Sequence, residues 1–179
     1  MNDKFILDYK QMTERNWNFW GGVGRIIKHR NLRFCFWGRL ASERIPIISK
    51  IAEHMKSKHE SKYGIEINFG NIGGGLLLLH PFNITVNSRA ILGNNVTLFK
   101  GCTIGSVRSG RLEGVPTIGN NVAILCNATV VGKIHIGNDV LIAANTFVDF
   151  DVPDHSIVFG NPGRVKHKDN AAKDYMTGK

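Results

Sequence analysis

Residues 118–152 read IGNNVAILCNATVVGKIHIGNDVLIAANTFVDFDV, and an aliphatic residue occupies every sixth position of this stretch. These residues are Ile118, Ile124, Val130, Ile136, Ile142 and Val148, and a small or β-branched residue follows each of them four positions later. An earlier run keeps the same spacing with Val86, Leu92, Leu98 and Ile104. Because a period of six fits neither an amphipathic helix nor an alternating strand, it predicts a parallel β-helix built from hexapeptides.

The positions between the aliphatic residues are rich in glycine and asparagine, as in Gly119-Asn120-Asn121 and Gly137-Asn138-Asp139. These residue types adopt left-handed backbone conformations at low cost, so we expect them at the corners of the coil. Three hexapeptides close one triangular coil of about 18 residues. With an imperfect first set near residues 72–82, the repeats supply roughly four to five coils, which is enough for neighbouring coils to bury each other.

The chain divides into three parts. Residues 1–60 lack hexapeptides and are predicted to form a short helical N-terminal appendage, with helices over residues 4–12, around Leu32–Leu40 and around Ile48–Met55. Residues 61–167 carry the repeats and form the β-helix domain. Residues 168–179 are a polar C-terminal tail, which we expect to be frayed.

Composition limits the kinds of ligand and the cellular compartment that we expect for this chain. A formal net charge of +9 favours anionic ligands, but no aromatic-interleaved basic motif of a nucleic-acid module is present. The three cysteines form no CxxC pair, so a reducing compartment fits best. Without an 18-residue apolar run or a signal peptide, the chain is expected in the cytoplasm, with peripheral contact at the inner membrane surface as an added hypothesis.

The segment EINFGNIGGGLLLLHP, residues 66–81, resembles the start of the acetyltransferase domain of serine acetyltransferases and their short relatives, which include O-acetyltransferases of bacterial surface polysaccharides. The resemblance continues through Gly101-Cys102-Thr103-Ile104-Gly105 and ends in VPDHSIVFGNPGRV, residues 152–165. It implies an all-β fold, a left-handed parallel β-helix of hexapeptide repeats, usually assembled as a homotrimer. It also implies acetyl-CoA as co-substrate, held in the groove between subunits, and no metal.

The resemblance makes His80 the general base that deprotonates the acceptor hydroxyl. Histidine suits this role because its ordinary pKa lies near working pH. Glu66 aligns with the carboxylate that orients the histidine in the family, although serine acetyltransferases have Asp there and one residue is deleted between the two positions. Gly105, Ser106, Cys126 and Ala144 match positions along the acetyl-CoA edge, while Arg164 and Lys166 follow the last coil and could meet the nucleotide phosphates.

An insertion at residues 106–117 interrupts the hexapeptides and is expected to be an exposed, flexible loop beside the substrates. The residues predicted to contact the acceptor are Leu79, Pro81, Arg111, Glu113 and Val115. Serine acetyltransferases carry Asp where this chain has Leu79, and Arg-His-Pro where it has Gly114-Val115-Pro116. Because these departures remove partners for the charges of serine, a sugar hydroxyl of a surface polysaccharide or its precursor is the favoured acceptor.

Three alternatives stay open. The first is a serine O-acetyltransferase of cysteine biosynthesis. The second is a zinc hydratase of the carbonic anhydrase type, although only His80 and His135 lie between residues 60 and 150 to supply its three histidines. The third is a non-catalytic hexapeptide binding module.

Residues 15–50 interleave aromatic rings with cations, as in Trp20, Lys28 and Arg44. Rings and cations together suit the interface of an anionic membrane, so peripheral membrane contact is one hypothesis for this segment. The alternative is that the aromatic residues pack the helices onto the β-helix and the cations are solvated.

Overall fold

The computed structural model describes residues 2–43 and 45–177. Four helices precede the strands: α1 (Asp3–Thr13), α2 (Phe19–Lys28), α3 (Arg30–Ala41) and α4 (Pro46–Tyr63). Asn2 and Asn18 cap α1 and α2 by accepting the backbone N–H groups of Phe5 and Gly21 at 3.1 and 2.8 Å. Pro46 opens α4, and Gly64 ends it in a left-handed conformation.

Helix α2 was not expected from the sequence, because three of its residues are glycine, which disfavours a helix. Gly22 lies under the indole ring of Trp17, where a Cβ atom would come within 2.3 Å of a ring carbon. Helix α4 includes the helix predicted around Ile48–Met55. Of its apolar residues only Ala52 is buried, whereas Ile48 and Ile51 are exposed.

The strands form three parallel faces that the chain visits in turn. The first face holds β1 (Leu77–Leu79), β4 (Thr97–Phe99), β7 (Val122–Ile124), β10 (Val140–Ile142) and β12 (Ser156–Phe159), with β13 (Arg164–His167) added antiparallel at its end. The second face holds β2 (Thr85–Val86), β5 (Thr103–Gly105), β8 (Thr129–Val131) and β11 (Phe147–Val148). The third face holds β3 (Ile91–Leu92), β6 (Thr117–Ile118) and β9 (His135–Ile136).

The register confirms the hexapeptide spacing. Ile124 pairs with Ile142, Val130 with Val148 and Ile118 with Ile136, so each aliphatic residue stacks on the one 18 positions later. All six of the residues at these positions are at most 1% exposed and form one continuous core. This arrangement is the parallel coil with N-terminal helices that the repeats predict.

Two columns of corner residues hold successive coils together. In one column a side-chain oxygen accepts the backbone N–H of the coil before it: Asn120 accepts from Asn94, and Asn138 from Asn120, both at 2.8 Å. The next residues along, such as Asn121 and Asp139, have positive φ values of 55° and 53°. The corner asparagines therefore serve both as left-handed turn residues and as hydrogen-bond acceptors.

The C-terminal segment packs against the first face. Ala171 and Ala172 are buried against Ala123 and Leu141, and the Thr97 hydroxyl donates to the Tyr175 carbonyl at 2.8 Å. The expectation of a frayed tail is therefore wrong for this part of the tail, because Ala171 and Ala172 are buried and Tyr175 and Met176 pack against the same cluster.

The helices are fixed to the start of the coil by an ion pair. Arg39 of α3 and Asp8 of α1 are 1% and 0% exposed, and the guanidinium also donates to the Ile72 and Gly73 carbonyls at 2.8 and 2.5 Å. Asp8 in turn accepts the Leu76 N–H at 2.7 Å. The predicted boundary between helices and coil is thus crossed by a buried polar network.

Candidate active site

His80 stands on a bulge at the corner between the first and second faces. Leu79 pairs with Phe99 and Thr85 with Thr103, so five residues, 80–84, span a corner that three residues, 100–102, span in the next coil. His80 begins this bulge with a φ of 51° and an exposed side chain. Within residues 2–43 and 45–177 its imidazole has no hydrogen bond or ion pair, so both ring nitrogens are free to meet a ligand.

Helix α3 and the end of α4 brace the bulge. The Asn31 amide donates to the Leu78 carbonyl at 2.9 Å, two residues before His80. The Arg30 guanidinium lies over the Phe82 ring at 4.4 Å, and Tyr63 packs edge-on against the same ring. Sequence reasoning missed these bracing residues, because nothing in their local pattern relates them to His80.

Glu66 lies beside the same corner but does not contact the imidazole. Its backbone bridges to Thr85 at the start of the second face, and its side chain is exposed. Across the part of the chain that the structure describes, no hydrogen bond or ion pair joins Glu66 to His80. Its predicted role in orienting the histidine stays a prediction.

Two of the predicted cofactor residues continue the corner that starts at His80, which we call the His80 edge: residues 80–84, 100–102, 125–128 and 143–146. Cys126 and Ala144 occupy the same place in successive coils, since the Asn145 N–H donates to the Cys126 carbonyl at 2.9 Å. The edge reaches Gly160, which accepts the Phe147 N–H, and Arg164 opens the strand that follows. Four coil spacings of about 4.8 Å make this edge roughly 20 Å long.

Lysine and cysteine side chains add chemistry to the His80 edge. Lys100 is exposed one coil above the bulge and was not predicted to belong to the site. Cys126 is half-buried, whereas burial raises the pKa of the Cys102 thiol beneath the same corner to about 12. Cys102 is therefore a packing residue, and Cys126 is the thiol that a ligand at this edge could reach.

Five of the other predicted residues lie at the next corner of the coil, which we call the loop edge: residues 87–90, 105–116 and 131–134. Gly105 and Ser106 lead into the insertion, where Val107 and Gly114 pair as a short hairpin. Lys133 donates its N–H to the Leu112 carbonyl at 2.9 Å, so the hairpin is anchored on the coil rather than flexible throughout. Arg111 and Glu113 are exposed on it, and Val115 packs against the core.

A single chain keeps the two edges apart. Lys100 on the His80 edge and Ser106 on the loop edge are six residues apart across the second face, at most roughly 20 Å at about 3.3 Å per residue. Leu79 is half-buried beside His80, Pro81 is buried in the bulge, and Lys166 is exposed on β13. The chain thus groups His80, Leu79, Cys126, Ala144 and Arg164, but does not bring Arg111, Glu113 or Val115 to them.

Neither a metal-binding group nor a membrane-spanning helix is found among the described residues. Among the described residues, no three His, Cys, Asp or Glu side chains are grouped so that they could hold a metal ion. No helix in the described ranges is both long and apolar enough to cross a bilayer.

Comparisons with known proteins point to one family. Residues 116–149 match the family model described as bacterial transferase hexapeptide (six repeats). The serine acetyltransferase of Synechococcus elongatus is 32% identical over 143 residues, 79% of this chain and 57% of that protein. The serine acetyltransferase of Staphylococcus aureus is 38% identical over 107 residues, 59% of this chain and 50% of that protein.

Solved structures agree in fold over a longer stretch. The soybean serine acetyltransferase apoenzyme aligns with a TM-score of 0.72 and 27% identity, covering 91% of this chain and 67% of that one. Serine acetyltransferase from Neisseria gonorrhoeae in complex with serine gives a TM-score of 0.73 and 26% identity, with the same coverage. The chain spans about half the length of the curated relatives it matches. Its repeats, its coil and these likenesses agree with the resemblance to hexapeptide-repeat transferases, and the named relatives support the serine acetyltransferase-like branch of that resemblance.

Proposed function

We propose that the protein is an acetyl-CoA-dependent O-acetyltransferase in which His80 is the general base. The observation that carries this proposal is the unpaired imidazole on a corner bulge at the end of a straight coil edge. The imidazole takes the proton of an acceptor hydroxyl, whose oxygen attacks the thioester carbonyl, and CoA leaves as the thiol. The named relatives, all serine acetyltransferases, support the same chemistry. They also support a left-handed coil, the sense that is usual in this family.

The acceptor is the finer part of the proposal. The comparisons name serine acetyltransferases throughout and give no support to the predicted polysaccharide acceptor, so serine is the better supported of the two. The sugar hydroxyl rests only on Leu79 and Val115, which are apolar where the serine enzymes carry polar residues. Thiol release from acetyl-CoA with serine and with a panel of sugars tests both. Release with neither, by a protein that binds acetyl-CoA, would contradict the transferase proposal.

The co-substrate is proposed to lie along the His80 edge. Cys126 and Ala144 are small side chains whose backbone groups can bond the pantetheine arm, and Arg164 stands at the far end for the phosphates. Because the loop edge lies across the second face from the His80 edge in one chain, Gly105, Ser106 and the hairpin would reach this co-substrate from a neighbouring subunit. A homotrimer, the assembly that the family resemblance implies, would bring the loop edge of one subunit to the His80 edge of the next by closed symmetry.

A membrane contact through residues 15–50 is a separate, weaker part of the proposal. Trp20 and Ile27 are seven residues apart on α2, so they lie on the same face of the helix, and they are 84% and 65% exposed, while Trp17 and Phe36 pack inward. Residues 15–42 contain no Asp or Glu, which suits anionic lipid; Arg44 lies outside the described residues. Co-sedimentation with anionic vesicles at low salt, lost in Trp20→Ser/Ile27→Ser, is the expected result. Equal sedimentation of the variant would leave the segment as a packing appendage.

A further inference from the structure

A cavity of about 320 Å³ opens between the end of α1, helix α2 and the start of α3. Its polar lining consists of Thr13, Arg15, Arg25, His29 and Asn31. In the part of the chain that the structure describes, no Asp or Glu lines it. Two guanidinium groups and an imidazole therefore face one small space without a carboxylate to neutralise them.

The cavity is built rather than incidental. Arg25 is held by its Nη1 atom, which donates to the Tyr9 hydroxyl and to the Gly21 carbonyl, each at 3.1 Å. These bonds leave the Nε and Nη2 donors of Arg25 without a partner among the described residues. Thr13 is held in turn, because its hydroxyl donates to the Tyr9 carbonyl at 2.7 Å. Arg15 and His29 line the cavity and are exposed at its rim.

Asn31 joins this cavity to the candidate active site. It lines the cavity and donates to the Leu78 carbonyl at 2.9 Å, and His80 follows two residues later. Two residues of extended chain span roughly 7 Å, so the cavity wall lies on the order of 10 Å from the bulge. A small molecule in the cavity would be a neighbour of the reacting hydroxyl.

We propose that this cavity binds a phosphate group beside His80. The two guanidinium groups exceed the single charge of a carboxylate and match a phosphate dianion, their forks are well shaped for its oxygens, and the His29 ring adds a hydrogen-bonding group. The phosphate has three possible sources: a phosphorylated acceptor, a free phosphate ion or metabolite bound beside an acceptor such as serine, and CoA itself. That the ligand neighbours a transfer reaction rests on the proposed function; the phosphate site does not.

Binding is tested on the full chain with inorganic phosphate, followed by calorimetry and by the NMR signal of the His29 ring. Arg15→Gln/His29→Gln removes a guanidinium and an imidazole at the rim, neither of which makes a side-chain bond in the described structure. Lys28→Gln, a neighbouring exposed cation outside the lining, is the matched control. We expect the double variant to bind phosphate roughly tenfold or more weakly, with the control unchanged. Equal binding by all three proteins, or acetate binding as tightly as phosphate, would overturn the site.

Kinetics then assigns the source. A rise in KM for a sugar phosphate alone in the double variant places the phosphate on the acceptor. A rise in KM for acetyl-CoA alone assigns it to CoA. If both KM values are unchanged in the double variant, and added phosphate alters serine turnover only in the wild type and the control, the bound phosphate is a separate ion. If neither the wild type nor the variants transfer acetyl groups, but the double variant still binds phosphate more weakly than the other two, the proposed function fails and the phosphate site stands.

Discussion

Arg39 and Asp8 form a fully buried bidentate ion pair, with Nε–Oδ2 and Nη2–Oδ1 distances of 2.8 and 3.0 Å. Burial raises the pKa of the Asp8 carboxyl in spite of the hydrogen bonds it accepts from Arg39. The effect of burial on the Asp8 carboxylate therefore exceeds the stabilisation that Arg39 gives it, and the loss of either partner would leave a buried charge without its counter-charge. The pair also fixes α1 and α3 to the backbone of residues 72–76, directly before β1, the strand that His80 follows.

Breaking this pair is expected to destabilise the protein strongly. Arg39→Met leaves the Asp8 carboxylate buried without its partner and should lower the free energy of unfolding by about 3–5 kcal/mol, measured by denaturant unfolding. Glu53→Gln is the control, because it breaks the Lys56–Glu53 pair, in which Glu53 is 57% exposed, and should cost at most about 1 kcal/mol. Similar losses from both substitutions would show that burial does not govern the Asp8–Arg39 pair.

His80 is best tested by replacement with asparagine. Because its φ is 51°, His80→Asn keeps a residue that tolerates the left-handed conformation and removes only the base. Transfer should fall roughly 10²–10⁴-fold while acetyl-CoA binding stays near the wild-type value. His135→Asn, on the third face, is the matched control and should retain full activity. Glu66→Gln should lose less than His80→Asn, since Glu66 has no contact with the imidazole.

Labelling of the cysteines tests whether acetyl-CoA lies along the His80 edge. Burial raises the pKa values of Cys35 and Cys102, so neither thiol should react in the folded protein, whereas Cys126 is accessible. A thiol reagent should therefore modify one cysteine per chain, and Cys126→Ala should abolish the modification. If acetyl-CoA lies along the His80 edge, it should slow the labelling of Cys126. Labelling at an unchanged rate under saturating acetyl-CoA would argue against that path.

Docking of the C-terminal segment should depend on pH. Asp139 accepts the His155 ring at 2.9 Å and the Ala172 N–H at 3.2 Å. The hydrogen bond to Asp139 raises the pKa of His155. The protonated His155 ring therefore stabilises the folded state fully below the ordinary histidine pKa near 6.5, and this stabilisation is lost as pH rises through the raised pKa. The pKa of Asp139 is lowered, because the bonds from His155 and the backbone outweigh its desolvation; its contribution is therefore lost as pH falls below about 4.

The window for both contributions thus runs from about pH 4 to about pH 6.5. Protease cleavage near Lys173 should be slowest within this window and should speed up above it. Asp139→Asn should flatten this profile and return the His155 pKa, followed by NMR, toward 6.5. A raised His155 pKa that survives Asp139→Asn would show that the carboxylate is not its cause.

The sequence predicts the coil well because its signal is periodic and local. Ile124 and Ile142 are inward wherever the hexapeptides are in register, and the corner asparagines follow from backbone preference. It does not predict helix α2 or the docking of Ala171, since these depend on partners far along the chain, Trp17 for Gly22 and the first face for the tail. The sequence does not predict the cavity lined by Arg15, Arg25 and His29 for the same reason, because only the folded helices bring these residues together.

The separation of the two edges leads to the last prediction, which concerns assembly. If a complete site needs the His80 edge of one subunit and the hairpin of the next, His80→Asn and Arg111→Ala/Glu113→Ala should each be impaired alone. Mixed trimers of the two variants should regain activity, because a fraction of their sites pairs a normal His80 with a normal hairpin. Light scattering of the unmixed proteins should give the trimer mass, and refolding the variants together supplies the mixture. Activity that stays at the level of the separate variants, in trimers shown to be mixed, would mean that each site lies within one chain.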